Sequence, residues 1–388
     1  MTEQRRSHLS GTRPRQARQA NTAAVLQLLL QRGPLARGDI AADLSLNHGS
    51  VSRIIEPLLR EGIVRETTQQ ISGGGRPRVP VAINPASRYA AGVHLGLQRT
   101  TVGLTDLAGQ CVAVCAEDRD PADAAATLRR AAELTDDLVA SAPGPVLGVG
   151  VVTGGEVDRA RGRIVRNDAL GWGDIDVADP LHAQTGLDVV VDNNVRAHLG
   201  AETAFGAGAG MSSVLYLFIG NIAEMGFVNQ AAAMNPDSVI QGSVERIVVP
   251  TLTGDGLMSL GECGTDTALL AAARGARLAV TSLGDLIRLA DQDEDAAAVR
   301  LFERRSTQVA RVADTLYDLM QPHLVILGGS GAPSERWLDD VRERVEAVPP
   351  DRIVRPGSGG TPLVTAAAGL VIRAFLAAGT TTDAEVSG

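Results

Sequence analysis

Apolar residues near the start of the chain recur at helical spacing. Ala23, Ala24, Leu26, Leu29 and Leu30 mark one helix, which Gly33-Pro34 stops. A second short helix is predicted over 38–44, with Ile40, Ala41 and Leu44 on one face. After the turn Ser45-Leu46-Asn47, the residues Val51, Ile54, Ile55, Leu58 and Leu59 form an i, i+3, i+4, i+7, i+8 stripe. That stripe predicts a third helix packed on the first two. Pro57 lies inside it and removes a bond to the Arg53 carbonyl, so a kink is expected there. Gly62 ends the helix, and Ile63-Val64-Arg65-Glu66-Thr67 reads as a strand with a partner at 79–83. From about Tyr89 the pattern changes. Strand-like runs at 90–97, 102–107, 146–152, 189–191, 214–219 and 324–327 alternate with helical patterns at 121–141, 195–205, 267–278, 295–320 and 361–378. This alternation predicts an α/β body with a mixed sheet.

Helices followed by a ribbon are the element order of a winged helix-turn-helix, which lays its third helix in a DNA major groove. Because the apolar stripe must face inward, Asn47, His48, Ser50 and Arg53 fall on the outward face, near the helix N-terminus. Asn can bond adenine bidentately and Arg can do the same with guanine, which makes these four the base-contact candidates. The competing reading is that they solvate a surface helix. In the segment Gly73-Gly74-Gly75-Arg76-Pro77-Arg78, Pro77 stiffens an extended arm between Arg76 and Arg78, of the type that enters minor grooves or grips phosphates. The same glycines would also suit a plain interdomain linker.

Length and charge extend this picture. With 388 residues and 44% apolar content, the chain can build a small module and a much larger body. A net charge of −9 alone argues against nucleic acid, but the charge is uneven: residues 1–80 hold twelve Arg against six acids, a net +6, and the remainder carries −15. A basic head on an acidic body is an electrostatic footprint of DNA binding. Cys111, Cys115 and Cys263 are too few and too oddly spaced for a disulfide framework, and no stretch approaches the ~18 apolar residues of a membrane span. The first twenty residues are polar and Arg-rich without an apolar core, so no secretion signal is predicted and a cytoplasmic protein is expected.

A head of this kind, then Gly-Val-Gly-Val near the middle, Asn167 to Trp172, Val191-Asp192-Asn193-Asn194 leading to Ala197 and Glu202, and Leu-Val-Ile-Leu-Gly-Gly near the end together resemble the ROK family of repressors and sugar kinases. The resemblance spans nearly the whole chain and implies a two-lobed actin-like ATPase fold. It implies a DNA-binding domain at 1–83 and an effector-binding and dimerisation domain at 84–388, with lobe one about 85–195 plus 361–378 and lobe two about 196–360. It also implies a sugar or sugar derivative bound between the lobes, acting on paired heads.

The departures from that family are informative. Val93-His94-Leu95-Gly96-Leu97-Gln98 stands where the family has Asp-x-Gly-Gly-Thr, so an imidazole replaces the carboxylate that manages metal and phosphates. Ile219-Gly220-Asn221-Ile222-Ala223-Glu224 replaces a phosphate loop of glycines and threonine. Glu224 would face phosphate with like charge, a repulsion of ~4 kcal/mol at ~4 Å and an effective dielectric of ~20. Asn194 takes the position of the catalytic Asp, and an amide has no oxygen basic enough to accept a proton at neutral pH. The family's zinc ligands are also missing: the corresponding segments are 243–248 and 262–268, with Cys263 alone. The expectation is therefore no catalysis, no cofactor and no metal. Asn167, Asp168, Trp172, Asn193, Asn194 and Glu245 are the effector-binding candidates, although Trp172 also reads as a core residue. Val248 and Leu270 stand at or near two polar family positions, which suggests a less polar effector than a sugar. His182 and His198 read as helix-surface or satisfied histidines. The expected partners are double-stranded operator DNA, a small-molecule effector that is sugar-like or less polar, and further copies of the chain in a dimer or tetramer, with no membrane. An active kinase with a DNA-binding head and an effector-free scaffold are the alternatives.

Overall fold

A computed structural model describes residues 14–67, 79–97, 99–118, 123–229, 239–357 and 361–379. The head comprises α1 (Pro14–Arg32), β1 (Leu35–Ala36), α2 (Arg37–Asp43), α3 (His48–Arg60), β2 (Val64–Glu66) and β3 (Pro80–Ile83). Helix α1 stops where Gly33, at φ +76°, donates its N–H to the Leu29 carbonyl at 3.0 Å. Helix α3 extends to Arg60 with Pro57 inside it. Strand β3 pairs antiparallel with both β1 and β2, so Val81 stands opposite Leu35 on one side and Glu66 on the other. Two-residue β1 left no trace in the hydrophobic pattern. Arg76 and Arg78 lie outside the described residues.

Lobe one contains β4 (Tyr89–Leu95), β5 (Arg99–Asp106), β6 (Cys111–Asp118), α4 (Ala124–Ala140), β7 (Val146–Thr153), the small sheet of β8 (Glu156–Asp158), β9 (Arg163–Asn167) and β10 (Trp172–Asp176), then α5 (Ala178–Thr185), β11 (Val189–Asn193) and α6 (Asn194–Phe205). Lobe two contains β12 (Ser213–Ile219), β13 (Ala223–Asn229), β14 (Ile240–Ser243), β15 (Val248–Pro250), β16 (Leu257–Ser259), α7 (Leu260–Cys263), α8 (Asp266–Gly275), α9 (Leu283–Asp291), α10 (Ala296–Met320), β17 (Leu324–Gly329), α11 (Glu335–Arg344) and β18 (Ile353–Val354). The last helix, α12 (Pro362–Ala377), returns to lobe one and packs on β4 and β7.

The two main sheets have the same plan. Lobe one is ordered β6-β5-β4-β7-β11 and lobe two β14-β13-β12-β17-β18. In each, three antiparallel strands are followed by two that join in parallel through helical crossovers. Helix α6 bridges the two. Its Val195 and Leu199 pack with Val214, Tyr216 and Ile326 of lobe two, while Ala197 and Ala201 pack with Val152 and Ala366 on the lobe-one side. With the pair 195/199 on one face and the pair 197/201 on the other, the helix is buried on opposite sides, polar Asn194, His198 and Glu202 included, as a helix covered by both lobes must be. The expected lobe boundary at 195/196 thus falls on an element common to both lobes.

The head is not a separate globule. Its core of Leu26, Leu29, Ile40, Ile55 and Leu58 continues without a break into Ala90, Leu107, Ala368, Val371 and Ile372 of the body. The junction is short and fixed: the Asn84 backbone donates to the Ile63 carbonyl and its side chain to the Gly62 carbonyl, each at 2.9 Å. Docking is through α1, which lies against α12 and α6. That leaves the opposite side of the head, with α3, open.

Candidate DNA-facing helix and interlobe cleft

Helix α3 buries Val51, Ile54, Ile55 and Leu58 and exposes Asn47, His48, Gly49, Arg53, Glu56 and Arg60. Its start is fixed by Asn47, the N-cap, whose Oδ1 accepts from the Ser50 backbone at 2.8 Å. Asn47 thus has a structural duty as well as an exposed position, since its oxygen already accepts one bond as the cap. Arg53 lies along the same turn, with Nε donating to the Gly49 carbonyl at 3.2 Å and Nη2 to Ser50 Oγ at 3.4 Å. Asn47, His48 and Arg53 are exposed at the helix N-terminal end, and Ser50 is half-buried beside them. Elsewhere on the head, Arg37 pairs with Glu66 at 2.8 Å and Arg32 with Asp43, so part of its positive charge is locally compensated.

A cleft of about 690 Å³ opens between the lobes. Lobe one contributes the β4–β5 turn with His94, the β7–β8 turn with Gly154 and Gly155, and the loop carrying Arg166 and Asp168; lobe two contributes Asn221, Glu224, Gln241, Ser243 and Glu245. Of the six effector candidates, Asn167, Asp168, Asn194 and Glu245 line it. Trp172 does not: it is 4% exposed and packs in the lobe-one core with Val177 and Leu181, so the core reading holds. Asn193 does not either. It caps α6, accepting from Val195 N at 2.8 Å and donating to the Gly155 carbonyl at 2.9 Å.

Asn167, although it touches the cleft, shapes the loop. Its Nδ2 donates to Thr153 Oγ1 and to the Gly154 carbonyl, and its Oδ1 accepts from Leu170 N. Asn194 is different, since its Oδ1 is buried and has no hydrogen-bond partner. An unsatisfied buried carbonyl at a cleft wall is a group waiting for a donor. Glu224 accepts from Asn193 Nδ2 at 3.3 Å, and burial pushes its pKa above the usual carboxylate range, with the nearby Glu245 adding to the rise. Val248 and Leu270 are absent from the cleft: Val248 sits exposed on β15, and Leu270 packs on the helical cluster around Phe302. The cleft is consequently more polar than the sequence suggested. Glu224, Gln241, Arg166 and His94 were not candidates; their signal is position at strand ends facing one gap, which needs the strand order to be read.

Sequence reasoning also misjudged His198. It is 3% exposed on α6, stacks on Tyr216 with ring centroids 5.6 Å apart, and its Nδ1 has no partner. Burial, helped by the charge of His94, pulls its pKa down to about 3. The unfolded chain, at 6.5, then takes up a proton that the native state refuses, so stability falls as pH drops from about 6.5 towards 3. His198→Phe is expected to lose less melting temperature between pH 7 and pH 4 than the parent; an equal loss would remove His198 from the account. His182 is exposed and its Nδ1 meets the Leu187 carbonyl at 2.8 Å, as a satisfied surface residue should. Cys263 is buried, with its sulfur 3.4 Å from Gln308 Nε2. Among the described residues, no group of three or more His, Cys, Asp or Glu converges as metal ligands, and no helix is long and apolar enough to cross a membrane.

Residues 90–243 match the family model described as ROK family. A transcriptional regulator of Mycobacterium tuberculosis is 32% identical over 348 residues, which cover 84% of this chain and 77% of the relative. The xylose repressor of Bacillus subtilis is 25% identical over 52% of this chain and 53% of its own length, and the DNA-binding transcriptional dual regulator NagC of Escherichia coli is 28% identical over 54% and 57%. In fold, the chain superposes on a ROK family transcriptional regulator, a homologue of the Escherichia coli MLC protein, with a TM-score of 0.71 at 20% identity, covering 94% of this chain and 98% of the other. A ROK family glucokinase from Streptomyces griseus, solved with glucose and AMPPNP, covers 73% of this chain and 98% of its own at a TM-score of 0.58 and 21% identity. With its winged head, its two lobes of equal strand order and a relative this similar over most of both lengths, the chain belongs to the ROK family, among its transcriptional regulators.

Proposed function

We propose that this regulator is a repressor that does no phosphoryl transfer, binds a pseudo-palindromic operator as a homodimer through two winged heads, and senses a small polar molecule between its lobes. The observation that carries this reading is the orientation of the head. Helix α1 rests on α12 and α6, the helices that back lobe one and bridge the lobes, while α3 faces solvent. A change of cleft opening therefore has a direct mechanical route to the DNA-facing helix. Paired heads would meet half-sites about one or two helical turns apart. His48, Ser50 and Arg53 are the base-contact residues in this reading, with Arg76 and Arg78 as groove or phosphate contacts. The effector contacts are Asp168, Asn194, Glu224 and Glu245, and the polarity of the lining favours a hydroxyl-rich ligand.

The absence of catalysis rests on the cleft's chemistry. The amide of Asn194 occupies the wall where a base would have to be, and the two carboxylates Glu224 and Glu245 would face a phosphate with like charge. Selection of genomic fragments by the full-length chain, followed by titration at fixed salt, tests the DNA reading; no fragment enriched over bulk DNA would reject it. In a coupled assay with ATP and a panel of aldoses and amino sugars, turnover is expected to stay at background. Turnover that disappears in Asn194→Leu would instead make the protein a kinase. A sugar that binds only the folded state raises the melting temperature, by the equivalent of about 2.7 kcal/mol at 100 times its Kd.

A further inference from the structure

Two carboxylates share the lobe-two wall of the interlobe cleft. Glu224, at the second position of β13, stands directly opposite Ser243 of β14. Glu245 follows that strand and folds back over the start of β13, where its Oε1 accepts from Ala223 N at 3.2 Å. Both are half-buried, and the donors they meet are neutral amides, Asn193 Nδ2 for Glu224 and a backbone N–H for Glu245. Burial first, and then the charge of Glu245, raise the pKa of Glu224 against the pull of the Asn193 hydrogen bond. A carboxylate with a cation at its side shifts the other way. The basic groups of the lining, His94 and Arg166, come from lobe one, where Arg166 stands 3.5 Å from Asp168.

A third acceptor lies beside this pair. Asn194, next in the chain to the residue that donates to Glu224, is 8% exposed, lines the cleft and leaves its Oδ1 without a hydrogen-bond partner. An ionised carboxylate only accepts, so this corner of the cleft calls for a ligand rich in donors, and two like charges facing each other call for a positive one.

We infer that the cleft takes a small polyhydroxylated primary amine, whose ammonium sits between Glu224 and Glu245 and one of whose hydroxyls donates to Asn194 Oδ1. This rests on the reading of the cleft as the effector site and narrows its ligand from any hydroxyl-rich molecule to one with a positive charge. An ammonium brings three donors together with the countercharge, whereas a neutral polyol brings donors and leaves the two carboxylates opposed. The volume of about 690 Å³ falls within the ~300–1,000 Å³ of small-molecule pockets and holds a six-carbon ligand. A divalent metal ion fits less well, because among the described residues no third His, Cys, Asp or Glu converges with the pair. Asn193, which holds Glu224, also caps α6, and α6 touches α1, so filling this corner bears on the helix that carries the head.

Calorimetry and melting temperature of the full-length chain at neutral pH test this, with glucosamine and glucamine as cationic probes and glucose, N-acetylglucosamine and sorbitol as neutral counterparts. At least one amine should bind and raise the melting temperature, with its neutral counterpart weaker by roughly tenfold or more. Glu224→Gln and Glu245→Gln keep the shape and remove one charge each; either should weaken amine binding roughly tenfold and narrow the gap between amine and neutral polyol. If one of the two variants shows no cooperative melt, the other decides. Should a neutral probe bind as tightly as its amine, or amine binding survive both glutamine variants undiminished, this inference falls while the sensing cleft stands. If no probe binds at millimolar concentration, the inference falls and the sensing reading with it. Magnesium or calcium raising the melting temperature of the parent but not of Glu224→Gln, with no amine bound, would assign the pair to a metal and overturn the inference.

Discussion

Gly150→Val is expected to abolish the folded state of lobe one. Gly150 sits in the middle of β7, directly beneath α12, where a Cβ would overlap the Ala367 carbonyl oxygen and come within 2.7 Å of its carbon. Its neighbour across the sheet, Gly92 of β4, is equally confined: a Cβ there would lie 2.5 Å from the Val364 oxygen and 2.8 Å from Ala368 N. The obstacle in both cases is helix backbone, so no rotamer change relieves it. Overpacking costs about 1–3 kcal/mol where neighbours can give way, and here the expected cost exceeds about 3 kcal/mol, a large part of a typical domain's 5–15. Since α12 also carries the head through Val371, Ile372 and Leu376, lifting it should undock α1 as well. Urea unfolding of Gly150→Ala, the milder version, gives the measurement: an unchanged midpoint would mean that α12 does not lie on the sheet this closely.

The second large effect concerns DNA. Arg53→Ala is expected to weaken binding to a selected operator by about 1–3 kcal/mol, five- to 150-fold, with the melting temperature unchanged because Arg53 is exposed. If the contact is to a base edge, the loss should be confined to the selected sequence, with nonspecific affinity and its salt slope preserved. A loss that is uniform over sequences, with a slope smaller by about 1, would make Arg53 a phosphate contact instead. Operator affinity that is unchanged in both Arg53→Ala and Arg76→Ala would remove the head from DNA recognition.

Much of the head was legible because its signals are local. The 3.6-residue stripe from Val51 to Leu59, the Gly33 and Gly62 stops and the apolar pair of strands around the wing each act within a few residues, and α3 and β2–β3 appear where that pattern put them. The long body helices were equally plain, α10 beginning within a residue of its expected start. Short α5, α9 and α11 escaped notice, since helices of about ten residues are stabilised mainly by what they pack on.

The site was legible by residue type and not by direction. Asn193 and Trp172 belong to the right loops, but a cap and a core packing turn their side chains away from the cleft. Asn47 has a second duty that the pattern did not show, the capping of α3. Conversely Glu224, Gln241 and His94 meet in one gap only because two sheets of the same order present their β-turns to each other, a relation between segments more than a hundred residues apart.

By itself the amino-acid sequence determined the element types, the basic head on an acidic body and the amide at position 194 where a base would be needed, because propensity, charge and functional-group chemistry are properties of single residues and near neighbours. The tertiary structure alone decided that head and body share one core and that the cleft is polar. Those are consequences of long-range packing, where a helix buried on opposite faces by two lobes fixes distances that no local pattern encodes.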